Sequence, residues 1–175
     1  MAHQVETMAY AGEVPWHGLG KQVLPDLSPE QMLYEAGLDW SVEKVPAFAE
    51  VNGEKVAVGK SALVRSSDSK VLDVVGDDWN PVQNAEAFGF FADFVSEGNM
   101  EMHTAGSLKG GQMVWALAKV KEESFELFGN DRIDSYLLFS NPHMYGKSID
   151  VRFTPIRVVC NNTLTLSLGT SSKNS

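Results

Sequence analysis

The chain has 175 residues, 43% of them hydrophobic, and a formal net charge of −9. This is enough apolar material for one buried core, and no apolar run approaches the ~20 residues that a membrane-spanning helix needs. The single cysteine, Cys160, excludes an internal disulfide and suits a reducing compartment; with no secretory pattern at the N-terminus, a cytoplasmic location is expected.

The first segment, residues 1–27, reads as an irregular arm punctuated by Pro15, Gly18, Gly20 and Pro25. A short helix follows. Ser28 is a good N-cap, Pro29 fits the first helical position, Gln31 completes a capping box, and Gly37 ends the helix. From Trp40 the hydrophobic period changes to two. One strand leads to an Asn52-Gly53 turn and a second continues beyond it. Ser61–Arg65 and Lys70–Val75 form a hairpin around Ser66–Ser69. Asn84 then caps an amphipathic helix with Phe88, Phe91, Phe94 and Val95 on one face, and Gly98 stops it.

Further strands are expected at Glu101–Leu108, Met113–Val120, Ser135–Phe139 and Ile149–Phe153. A last apolar run, Ile156–Leu168, begins as a strand and turns helical near Asn161. The fold class is α+β: a mostly antiparallel sheet with one main amphipathic helix packed on it, plus the short N-terminal helix and the arm. A single domain spans 1–175, with its core at 28–168. The polar segment 169–175 reads as a tail or as the edge of a longer protein.

Charge is unevenly placed. Residues 1–50 carry eight acids against two bases, residues 51–101 nine against four, and residues 102–175 six against eight. An acidic chain repels nucleic acid at long range, but a basic C-terminal face keeps a local contact open.

Four stretches invite a chemical reading. Ala105-Gly-Ser-Leu-Lys-Gly-Gly-Gln-Met-Val-Trp115 suggests a phosphate cradle, but Lys109 precedes the Gly-Gly pair and a strand follows where a nucleotide loop needs a helix. Gly110-Gly111 fits a tight turn, and Lys109 remains a candidate backbone contact. In Pro15-Trp-His-Gly-Leu-Gly20, Trp16 either plugs the arm onto the core or is presented for stacking, and His17 either bonds backbone or takes part in acid–base work with Asp77 or Asp78. The four histidines, His3, His17, His103 and His143, show no metal-ligand spacing, so neither metal nor cofactor is expected. Cys160 with His143 is the one conceivable thiolate pair, although a cysteine in an apolar run is ordinarily buried and inert. A basic and aromatic cluster, Tyr145, Lys147, Arg152, Phe153 and Arg157 with Asn161 and Asn162, has the composition that single-stranded nucleic acid binds.

Four ordered motifs carry a resemblance: Pro15-Trp-His-Gly-Leu-Gly20, Asn80-Pro-Val-Gln-Asn84, Thr104-Ala-Gly-Ser-Leu-Lys-Gly-Gly111 and Thr154-Pro-Ile-Arg-Val-Val-Cys-Asn-Asn-Thr-Leu164. Together the sequence resembles a phage/plasmid-like family defined by a domain of unknown function and encoded by bacteriophages, prophages and plasmids. The matching family positions include His17, Gly18, Gly106, Gly110, Gly111, Asn161 and Asn162, with Asn161 standing near where Gln is usual. The resemblance implies a bacterial host cell, a longer parent protein, and an association with DNA replication and recombination. The strand–strand–helix–strand–strand order is also similar to the core of single-strand annealing proteins, an analogy of fold alone.

The expected function is therefore a non-enzymatic phage protein that binds single-stranded DNA as a homo-oligomer. Lys109, Arg152 and Arg157 would contact phosphate, and Trp16 and Tyr145 would stack on bases. The alternative is an interaction protein that inhibits a host defence protein through a DNA-like acidic surface.

Overall fold

A computed structural model describes residues 4–12, 18–127 and 131–157. In chain order its elements are β1 (Val5–Ala11), β2 (Lys21–Val23), α1 (Pro29–Glu35), β3 (Val42–Val51), β4 (Glu54–Arg65), β5 (Val71–Gly76), α2 (Asn84–Glu97), β6 (Met100–Leu108), β7 (Met113–Leu127), β8 (Asp131–Pro142) and β9 (Asp150–Arg157). The strands form two sheets, a six-stranded one ordered β2-β1-β6-β7-β8-β9 and a three-stranded one ordered β3-β4-β5. Every pairing is antiparallel except β1 with β2. The class is α+β with mostly antiparallel sheets, as the sequence indicates.

Local chemistry explains the element ends. Ser28 Oγ accepts the Gln31 amide at 3.1 Å, and the Ser28 amide donates to Gln31 Oε1 at 2.9 Å, so the capping box starts α1. Asn52 and Gly53 both have positive φ, 51° and 82°, which matches the hairpin turn expected between β3 and β4. The Gly98 amide donates to the Phe94 carbonyl and closes α2.

Three sequence expectations are corrected. Much of the supposed irregular arm is ordered in the sheet: β1 pairs with β6, with Met8 opposite Gly106, and β2 pairs with β1. The N-cap of α2 is Gln83 rather than Asn84, whose side chain turns inward. Phe94 is 40% exposed, on the flank of α2, whereas Phe88, Phe91 and Val95 are buried.

The six-stranded sheet has two apolar faces. Ala9, Ala105, Ala116 and Ala118 keep one face low, so the two helices settle close to it. Phe88 and Phe91 of α2 then reach Phe139 of β8 at ring separations of 6.2 and 5.2 Å. Leu63, Leu72 and Val75 of the smaller sheet complete this core. The opposite face carries Met8, Tyr10, Leu108, Trp115, Leu117, Tyr136 and Leu138, all buried. No helix among the described residues is long and apolar enough to cross a membrane.

Candidate functional site

The stretch Thr104–Gly111 runs through β6 into the β6–β7 turn, and almost every residue in it has a packing role. Trp115 lies across Gly106, and its indole N–H donates to Thr104 Oγ1 at 3.3 Å. A Cβ at position 106 would run into the Thr7 carbonyl and the Trp115 ring and come within 2.7 Å of the Met8 Cβ. Ser107 Oγ donates to Glu6 Oε1 at 3.0 Å. Lys109, Gly110 and Gly111 form the turn with φ of 54°, 66° and 101°. Two of these three are glycines because the left-handed region costs them nothing.

Gly111 also makes room for a buried arginine. A Cβ there would come within 2.6 Å of Arg65 Nη1. The Arg65 guanidinium grips Glu6 (Nη1–Oε1 2.6 Å, Nη2–Oε2 3.1 Å) and Asp68 (Nε–Oδ1 3.0 Å, Nη2–Oδ2 2.8 Å), with its centre 5.2 Å from the Trp40 ring. The hydrogen bond from Arg65 holds the Asp68 carboxyl down at about 2. At Glu6 burial pushes the carboxyl up, but the bonds from Arg65 and Ser107 outweigh it and the pKa falls. This network ties β1, β4 and β6 together.

The turn meets two other segments of the protein. The His143 amide donates to the Gln112 carbonyl at 2.8 Å, and Gln112 Nε2 donates to the Leu72 carbonyl at 2.6 Å. The Tyr145 amide donates to Asp73 Oδ2 at 2.7 Å. Lys70 Nζ lies against Gly110, next to the exposed Lys109. Lys70, Lys109 and Tyr145, which is 69% exposed, thus stand on three chain segments that these bonds lock together, along with the acids Asp68 and Asp73.

Next to these segments is a buried polar cluster. Asn84 Oδ1 accepts from His143 Nε2 at 2.8 Å and from Asn141 Nδ2 at 3.3 Å, while Asn84 Nδ2 donates to the Leu38 carbonyl at 3.1 Å. His143 is fully buried and its ring stands 5.4 Å from that of Trp40. Burial lowers its pKa to about 4, so the imidazole is neutral. His103 on β6 is likewise lowered to about 4, by burial first and then by the Lys119 charge, with Asp134 opposing. Lys119 Nζ lies 3.4 Å from the buried Asp134 carboxylate.

The remaining candidates lie elsewhere. Arg152 pairs across the ladder with Leu138, and its Nε contacts its own strand's Asp150 at 2.6 Å. Phe153 pairs with Leu137 on the opposite face and is 66% exposed. Arg157 pairs with Ile133, five residues and roughly 17 Å further along β9 than Arg152. Arg152 and Arg157 thus lie on β9 and not on the segments that carry Lys109 and Tyr145. Gly18 is exposed with a φ of 70°. Asp77 accepts from the Ser61 hydroxyl at 3.0 Å. Trp16, His17, Cys160, Asn161 and Asn162 lie outside the described residues. Among those described, no group of three or more metal-ligating side chains converges.

Sequence reasoning missed Lys70 and Arg65, because a charged residue beside a turn carries no signal of its own. It also read Asn84 as a cap, although its spacing from a buried His-Asn pair is visible only in three dimensions.

Fold and site together define an α+β domain whose motif glycines and amides hold a scaffold beneath the exposed Lys70, Lys109 and Tyr145, with Asp68 and Asp73 beside them. The family model described as Domain of unknown function (DUF932) matches residues 71–175, and the chain belongs to that family. No curated protein and no solved structure matches the chain.

Proposed function

We propose that this is a phage-encoded, non-catalytic protein that binds single-stranded DNA in recombination or replication. The observation that supports this reading is the placement of Lys70, Lys109 and Tyr145. Two exposed lysines and an exposed phenol ring on segments bonded to one another could offer a strand phosphate and base contacts, with the acids Asp68 and Asp73 beside them. Base stacking on an aromatic contributes about 1–3 kcal/mol, and the charge contacts make the affinity fall with salt. Arg152, whose Nε is held by Asp150, and Arg157, further along β9, are set aside from the primary contact set, and Lys70 is the weaker of the two lysines because its charge acts on Glu6 and Asp68. The test is binding of a labelled oligonucleotide across a salt series. Lys109→Glu and Tyr145→Ala should each weaken binding with the fold intact.

One feature favours the interaction reading as second choice. Glu86, Asp93 and Glu97 are all exposed and recur at spacings that align them along one stripe of α2. A row of carboxylates is what a DNA-like decoy for a host defence protein requires. Capture from host lysate separates the two: a stoichiometric protein supports the decoy, and co-purifying nucleic acid supports the first reading.

A further inference from the structure

The six-stranded sheet is buried on both faces, but the described residues supply a cover for only one of them. Both helices and the smaller sheet gather on the face of Ala9, Ala105, Ala116 and Phe139. The other face holds Met8, Tyr10, Leu108, Trp115, Leu117, Tyr136 and Leu138. Every described residue of that cluster, the half-buried Val5 and Met113 included, comes from β1, β6, β7 or β8. Trp115 and Leu117 are nonetheless 0% exposed and Leu138 1%. Side chains stand roughly perpendicular to a sheet, so large ones are buried only by atoms packed above them. The cover also reaches β9. Asp150 and Arg152 pair with Ser140 and Leu138 and stand on this face, and their side chains are 32% and 23% exposed although β9 is the outermost strand.

These exposures are those of one chain alone, so the cover is the chain's own. It comes from outside the described residues, in pieces of unequal reach. Residues 1–3 are too few to span four strands. Residues 13–17 are tied at both ends to the β1–β2 edge, and 128–130 to the far turn of β7 and β8. Residues 158–175 remain. They follow directly on Arg157, which pairs with Ile133 next to Asp134 of this face. From β8 to β1 the face is roughly 14 Å wide, which is three strand spacings of ~4.8 Å. Residues 158–168 reach roughly 16 Å even at the ~1.5 Å per residue of a helical rise, and further when extended. They offer Val158, Val159, Leu164, Leu166 and Leu168 and hold no charged residue. The family match runs through residue 175 and so includes them.

We propose that the run 158–168 docks on this second face of the sheet and completes the domain as a further layer. The docking does not depend on the nucleic-acid reading. Cys160, the single cysteine, lies in the run and reports on it. An aromatic disulfide reagent should label Cys160 of the folded whole chain at least about 100-fold more slowly than in the urea-unfolded chain, at every protein concentration. Leu138→Ala hollows the docking face and should speed labelling at least about ten-fold, as should Leu166→Ala in the run. Leu137→Ala is the control: Leu137 is equally buried on the same strand but faces the helices, so the folded rate should stay near wild type. Leu138→Val and Leu137→Val carry the same comparison if an alanine variant does not fold. Labelling of the folded wild type at the unfolded rate would overturn the proposal. So would equal rates in the Leu138 and Leu137 variants, or protection lost on dilution, which would assign the cover to a second copy.

Discussion

Replacing Gly106 by alanine tests whether the family-like glycines serve the fold. The added methyl would meet the Thr7 carbonyl of the neighbouring strand and the Trp115 ring, and would stand 2.7 Å from the Met8 Cβ. A carbonyl in a ladder cannot step aside alone, so either β1 separates from β6 or Trp115 leaves Thr104. Overpacking of this kind costs about 1–3 kcal/mol, and loss of the Trp115–Thr104 hydrogen bond adds ~1 kcal/mol. Alanine returns roughly 0.4–1 kcal/mol by restricting the unfolded chain. A net destabilisation of about 2–3 kcal/mol is expected, a large share of the ~5–15 kcal/mol that holds a domain folded. Urea unfolding followed by tryptophan fluorescence reads it directly. Gly89→Ala is the control, since a Cβ there meets nothing within 4 Å and the residue is helical, so it should be neutral or stabilising. If Gly106→Ala unfolds at the wild-type urea concentration but loses ligand, the packing account of this motif is wrong.

Two further perturbations bear on the buried polar groups. His103 and His143 have pKa values near 4 when folded and about 6.5 when unfolded, so the unfolded chain takes up protons first as pH falls. Their contribution is complete above pH 6.5 and is lost between 6.5 and 4, about 3 kcal/mol for each histidine; urea midpoints measured across that window should fall, and a flat profile would contradict the burial assigned to both rings. Asn84→Ala strips partners from His143, Asn141 and the Leu38 carbonyl together and should cost about 2–4 kcal/mol by thermal or urea unfolding. A loss below 1 kcal/mol would mean that the cluster is not the junction described.

The parts of the fold that the sequence made legible are those with local chemistry. The capping box at Ser28, the Asn52-Gly53 turn, the hairpin around Ser66–Ser69 and the strands flanking Gly110-Gly111 all announce themselves through residues that only certain backbone angles accept. The strand β1 was hidden because its neighbours are distant in sequence: Val5–Ala11 gains its ladder from β6, about a hundred residues away. The division into two sheets was hidden for the same reason, since strand alternation gives a face but not a partner. At the site, composition points to Lys109 and Tyr145, and the bonds from the His143 amide to Gln112 and from the Tyr145 amide to Asp73 link the segments that carry them. Lys70 joins them only because the β4–β5 turn folds against Gly110. Arg152 and Arg157 look alike in sequence, yet Arg152 is paired with an acid on its own strand and Arg157 stands five residues further along β9.

Oligonucleotide binding as a function of salt probes the proposed function most directly. A labelled single-stranded oligonucleotide should bind the wild-type chain at low salt, with affinity falling linearly on logarithmic axes. Lys109→Glu and Lys70→Glu should each flatten that slope by roughly one, and Tyr145→Ala should lower affinity at every salt concentration without changing the slope. No binding at low salt, or binding that none of the three substitutions alters, would contradict DNA contact at Lys70, Lys109 and Tyr145.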